Sequence, residues 1–297
     1  MDIFRWVGLG AGTKTNWQDG RNWEDENGSP YTQARYPGSN TGLYDEVNID
    51  TALADGASSP TTSCDLSAKE ALSVLRIGPD FDGTVGASAG YLKAAIATCR
   101  IESKLSAEVY LKGIGAGISD LIVTDAGGLY PDGALGNTVL LRGTVALGAS
   151  TIFGGGATFK LSYISSPGSD VTLDIPSAVT LPDEIVMEGG NITCAAPFDL
   201  LKQSDGIWTQ TAGDFSEVEQ SAGIFNWQGG NVTLAQVSGS FDASIGVKAR
   251  TVGILVVGPS ATANLNNGLS GTITISEYVE TWGGIIRWNP GDKIVQT

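Results

Sequence analysis

Three carboxylate pairs are the residues best spaced for chemistry: Asp80/Asp82, Asp183/Glu184 and Glu217/Glu219. Two carboxyl groups facing one glycosidic bond can act as acid and as nucleophile or base, with no histidine needed. That point matters because the chain contains no histidine. Ser-His-Asp and Cys-His nucleophiles and histidine-ligated metals are thereby removed together. Asp183, Glu184, Glu217 and Glu219 are the fallback candidates for a carbohydrate site. Each pair also reads as a turn or a solvated strand face, and this reading is preferred. Lysines and arginines occur singly apart from Lys248/Arg250, which reads as edge decoration. Asp80-Phe-Asp82-Gly83 is a fragment of a calcium loop without its remaining ligands. Gly8-Leu-Gly-Ala-Gly12 and Gly154-Gly-Gly156 follow neither the dinucleotide nor the phosphate-loop spacing. No catalytic residue, metal or cofactor is expected.

Aromatic residues offer the other candidate. Trp6, Trp17 and Trp23 fall within the first 23 residues, the last two bracketing Gln-Asp-Gly-Arg. Two open rings with Asn16, Asn22 and Asp19 beside them would make a sugar platform. The alternative is a turn whose arms bring the rings together as a buried plug, and this reading is preferred. Trp282 and Trp288 lie in a second aromatic-rich stretch at the other end.

The elements that must position these groups are strands. The 297 residues include 41 glycines, are 41% hydrophobic and only 16% charged, too little charge for the solvated faces of a helical bundle. From about residue 45, β-prone runs such as DLIVTD, DVTLDI and GTITIS alternate with Gly, Asn, Asp and Ser. Only 69–76 and 197–203 look helical. Phrases recur with drifting sequence: Gly206-Ile-Trp208 returns as Gly223-Ile-Phe225, and Asp214-Phe215 as Asn231-Val232 at the same offset. The expected fold is all-β, a single-stranded right-handed parallel β-helix with coils of about 20–25 residues, or alternatively a β-sandwich. Residues 1–44 are assigned to a Trp-rich cap, 45–276 to coils, and 277–297 to a C-terminal cap or hairpin turning at Gly283-Gly284. Trp6, Trp17, Trp23, Trp282 and Trp288 are the expected cap residues. About 225 residues of coil would make roughly nine to eleven turns.

A net charge of −15 opposes phosphate binding, so nucleic acid is not an expected partner. No run approaches 18 apolar residues and the start lacks a secretory pattern, so neither a membrane nor export is expected. Cys64, Cys99 and Cys194 are odd in number and fit no zinc spacing, and are expected as buried thiols.

The run Trp6-Val-Gly, Asn16-Trp17, Asn22-Trp23, Pro37 and Asp45-Glu-Val-Asn-Ile49 resembles the N-terminal opening of bacterial and phage parallel β-helix proteins. It covers about the first 50 residues and marks a fold, not an activity. The resemblance is nearest to virion structural proteins of tailed phages. It implies a non-enzymatic capsid decoration or cement protein, a homotrimer whose partners are the major capsid protein or other virion proteins, located in the virion after assembly in host cytoplasm. Two other functions stay open: a tail fibre or tailspike that binds or cleaves host polysaccharide, and a cell-surface adhesin.

Overall fold

The structure, a computed structural model, describes residues 2–8, 14–39, 45–49, 58–61, 64–66, 71–104, 106–154, 157–161, 171–246, 248–266, 272–288 and 294–296. The fold is a parallel β-solenoid of about 10 turns. The chain divides into two compact units, Met1–Ala157 and Thr158–Thr297.

In the first unit a parallel ladder runs from Ile3–Trp6 to Asp45–Ile49, Leu72–Ile77, Leu92–Glu102, Glu108–Asp125 and Gly128–Leu140. Parallel strands need a connection long enough to bring the chain back round, and here that connection is the rest of each coil. Val47, Leu75, Cys99 and Leu121 stack in register inside the ladder, each almost fully buried. Antiparallel contacts among the described residues are confined to Ile3–Trp6 against Trp23–Glu24 and two isolated bridges, which excludes a sandwich. The bridge Glu24–Pro30 closes a turn in which Gly28 sits at φ +79°.

The second unit carries two parallel ladders. One joins Glu184–Met187, Phe198–Gln203, Phe215–Gln220, Val232–Val237, Arg250–Val257 and Ile273–Thr281. The other joins Val171–Ile175, Asn191–Cys194, Ile207–Gln210, Ile224–Trp227, Ser240–Asp242, Thr262–Asn264 and Ile285–Arg287. Ile207 pairs with Ile224 and Phe215 with Val232, the recurrence visible in the sequence. Some coils here are shorter than expected: Asp214 meets Asn231 across 17 residues, whereas Asn231 meets Thr251 across 20, within the expected range. Tight corners make this possible. Gly213 and Gly230 adopt φ of +74° and +80°, and a β-carbon on Gly230 would collide with the carbonyl oxygen of Gly213.

Three expectations are corrected. The stretches 69–76 and 197–203 are not helical where described: Leu72–Ile77 and Phe198–Gln203 are strands. Gly283, at φ +93°, does not turn a hairpin, because Ile273–Thr281 and Ile285–Arg287 pair with different earlier strands. Arg250 does not decorate an edge. It is 1% exposed, donates to the carbonyls of Trp227 and Ala243, and lies 4.9 Å from the Trp227 ring centre. Burial pushes its guanidinium down to about 10. Lys248 is exposed. Asn267-Gly268, most of the Gly8–Gly12 run and Gly155-Gly156 lie outside the described residues.

Buried polar ladders complete the interior. Gln220 donates to the side chain of Gln203 at 3.3 Å and to the carbonyls of Gly223 and Ser240. Gln203 likewise donates to Gly206 and Ile224. Each amide ties a corner of its own coil to the next coil, satisfying carbonyls that would otherwise be costly to bury.

Candidate functional site

The N-terminal tryptophans meet in one cluster. The octet NWQDGRNW forms a short 3-10 turn at Gly20–Asn22, started by Asp19, whose carboxylate accepts from the Arg21 backbone at 3.1 Å and from its guanidinium at 2.7 and 2.9 Å. The turn returns the chain so that Trp23 pairs with Trp6 across the antiparallel rung. The Trp23 ring lies edge-on to Trp6 at 4.8 Å and to Trp17 at 4.7 Å, and its N–H donates to the Trp17 carbonyl. Trp6, Trp17 and Trp23 are 2%, 1% and 0% exposed, so no ring presents a face to a sugar. Phe4, Tyr31 and Arg35 continue the cluster, with Arg35 4.5 Å over the Phe4 ring and paired to Asp2 and the buried Asp45.

The C-terminal tryptophans do not form a matching packed cap. Trp282 is 63% and Trp288 59% exposed, with Tyr278 and Ile285 exposed beside them in sequence. Two interior positions there are less covered than their predecessors among the described residues. Val279 continues the buried column Val218, Ala235, Leu255, and Ile286 continues Trp208, Phe225, Phe241, Ala263, yet both are only half-buried. Ile294–Gln296 adds a rung over Ile273–Ile275, and among the described residues no strand pairing reaches Val279 or Ile286 from that side.

The carboxylate candidates fall in three places. Asp80 and Asp82 are exposed in a turn around the buried Phe81. Asp183 is exposed at a corner. Glu184, Glu217 and Glu219 come to one outward sheet face, since Glu184 and Glu217 flank Leu200 and Glu219 pairs beside Lys202. Glu184 is bound by Lys202 at 2.6 Å and Glu217 accepts from Gln236 at 2.9 Å. Glu219 is exposed and acts on Lys202 through charge. The Lys202 ammonium is held above its usual range, chiefly by its hydrogen bond to Glu184.

Beside that face runs a trough of about 570 Å³. Its floor consists of the residues just beyond successive strands. Backbone bonds from Ser204 to Met187, Ser221 to Gln203, Ser238 to Gln220, Gly258 to Val237 and Trp282 to Val257 put them in one column. Lys202, Glu219 and Gln236 form one rim, and Trp282 stands at the end next to Gly258 and Pro259. Its indole N–H donates to Glu280 at 2.5 Å, which fixes the ring while leaving it open to solvent. These floor residues carried no signal in the sequence beyond three serines at near-regular spacing.

A second trough, about 690 Å³, runs along another corner and contains Asp199, Asp214 and Glu277. Its polar groups largely serve the fold: Asn231 bonds Asp214, the Thr251 amide bonds Asn231, and Ser216 bonds Asp199. On the first unit, the half-buried Tyr110 and Tyr130 rings stack at 4.4 Å with Tyr91 edge-on, beside the Lys112–Asp132 pair. Burial, with Glu108 beside it, pushes the Tyr110 hydroxyl up to about 12.

The three cysteines are free and buried, and burial pushes each thiol up to about 12, far from a reactive thiolate. Among the described residues no group of three metal-ligating side chains occurs, and no helix is long and apolar enough to cross a membrane. No family model, curated protein or solved structure matches the chain.

Proposed function

We propose that this chain is a non-enzymatic virion structural protein of a tailed bacteriophage, a decoration or cement protein that docks on the capsid. The observation that carries the reading is the C-terminal coil, where Tyr278, Ile285 and Trp288 are exposed and Val279 and Ile286 are only half-buried. Several large exposed apolar side chains on one short stretch mark a contact surface, and the end coils of a solenoid need a cover. A net charge of −15 on every copy opposes end-to-end stacking of identical chains, which favours a different protein as the cover. The major capsid protein is the partner this reading assigns, with the homotrimeric state taken from the family resemblance.

Co-sedimentation of the purified protein with undecorated capsids tests it. The parent is expected to pellet with the particles, and Ile285→Ser with Trp288→Ala to stay in the supernatant while remaining folded. A parent chain that never pellets, or a double variant that pellets equally, overturns the reading.

A further inference from the structure

We propose that the trough ending at Trp282 is a binding subsite for a neutral hexopyranose chain. A pyranose ring has one face of C–H groups that packs on an indole and a rim of hydroxyls that must be hydrogen-bonded. Trp282 meets the first need: its ring is 63% exposed and its only polar atom is already used by Glu280. An exposed tryptophan with a free N–H would point to a polar contact, whereas this one offers a face alone. The rim meets the second. Glu219 accepts, Gln236 both donates and accepts, and Lys202 donates with the positions its bond to Glu184 leaves over.

The floor fixes the shape of the ligand. Ser204, Ser221, Ser238 and Gly258 are small residues in consecutive coils, so the trough runs across the strands with a repeat of about 4.8 Å. A sugar residue is about that long, so a linear chain can place successive rings over successive coils. The volume, about 570 Å³, lies in the range of small-molecule sites and suits a few sugar rings. Charge selects the class. Lys202 and Glu188, which line the trough, are neutralised by Glu184 and by Lys160. Among the described residues this leaves Glu219 on the rim and Glu280 beside Trp282 as negative charges without an ion pair, so an anionic glycan would be repelled.

The site is independent of the capsid reading and is tested through different residues. Titration calorimetry with cellohexaose, laminarihexaose and chitohexaose, against a heparin hexasaccharide as the anionic comparator, is the direct experiment. At least one neutral hexaose is expected to bind, and heparin not at all. Trp282→Ala should weaken that binding at least tenfold, and Ser221→Phe, which fills the floor, should abolish it. Trp288→Ala, outside the trough, should bind as the parent does. Absence of binding by all three neutral probes, stronger binding of heparin, or a Trp282→Ala affinity within twofold of the parent each overturns the proposal. Circular dichroism of both trough variants separates loss of the site from loss of the fold.

Discussion

The tryptophans at the start of the first unit and those at the end of the second behave in opposite ways, while Trp208 and Trp227 lie buried between them in sequence. At the start of the first unit, Trp6, Trp17 and Trp23 contact one another and disappear from the surface. At the end of the second, Trp282 and Trp288 are each more than half exposed, and the interior residues of their coil are left partly open. Composition alone makes the two stretches look alike. The difference lies in the turn beside each tryptophan. Asp19, Gly20 and Arg21 fold Trp23 back onto Trp6, whereas Gly283 turns a corner that carries the chain onward to a new rung. An aromatic residue seals a coil end only when the local turn returns it over the core. Without that return it becomes surface, available for contact.

The sharpest way to break this comparison is Trp23→Ala. Trp23 is the centre of the cluster, wholly buried and in contact with Trp6, Trp17 and Phe4. Its truncation leaves a cavity and is expected to cost about 3–5 kcal/mol, measured by urea denaturation. A loss below about 1 kcal/mol would mean that the cluster is not a structural seal.

A smaller effect concerns the turn itself. The Arg21 guanidinium, hydrogen-bonded to Asp19, holds the Asp19 carboxyl below the usual carboxylate range. A depressed folded-state value means that the ionised form favours folding. The contribution is therefore present above the unfolded value of about 3.9 and is lost as pH falls through the lower folded value. Asp19→Asn keeps a capping oxygen but loses the ion pair with Arg21, so it should cost no more than about 1 kcal/mol at pH 7, and it should flatten this part of the acid profile. Denaturation at pH 7 and pH 2.5 compares the two proteins. An unchanged acid slope in the variant would remove Asp19 from the seal.

Much of the fold was legible in the sequence because the corners repeat. Gly206 and Gly223 hold equivalent corners, as do Gly213 and Gly230, so the strands between them return in register and the recurrence of Ile207 at Ile224 is visible by eye. Strand FDLLKQ was obscured by its own geometry. Phe198 and Leu201 point inward with two outward residues, Asp199 and Leu200, between them. That three-residue spacing imitates a helix face, and LSVLRI repeats it with Leu72 and Leu75. Gln203, Gln220 and Arg250 were illegible because polarity predicts surface, and only the coil carbonyls they bind explain their burial. The trough was hidden for a related reason. Its floor is built from residues 17 or more positions apart, whose common column exists only once the coils are stacked.

The smallest stability effect is the one that sharpens the comparison most. Trp282 touches the fold through its bond to Glu280, itself near the surface, and Trp288 is 59% exposed. Substitutions away from packed interiors are usually within about 0.5 kcal/mol of neutral. Trp282→Ala and Trp288→Ala should therefore melt with the parent, although each removes a side chain as large as Trp23. Two tryptophans that add nothing to folding are best explained by what they contact from outside. If either variant were destabilised by as much as about 3 kcal/mol, the C-terminal coil would be a second seal, and the contrast between the two terminal clusters would collapse.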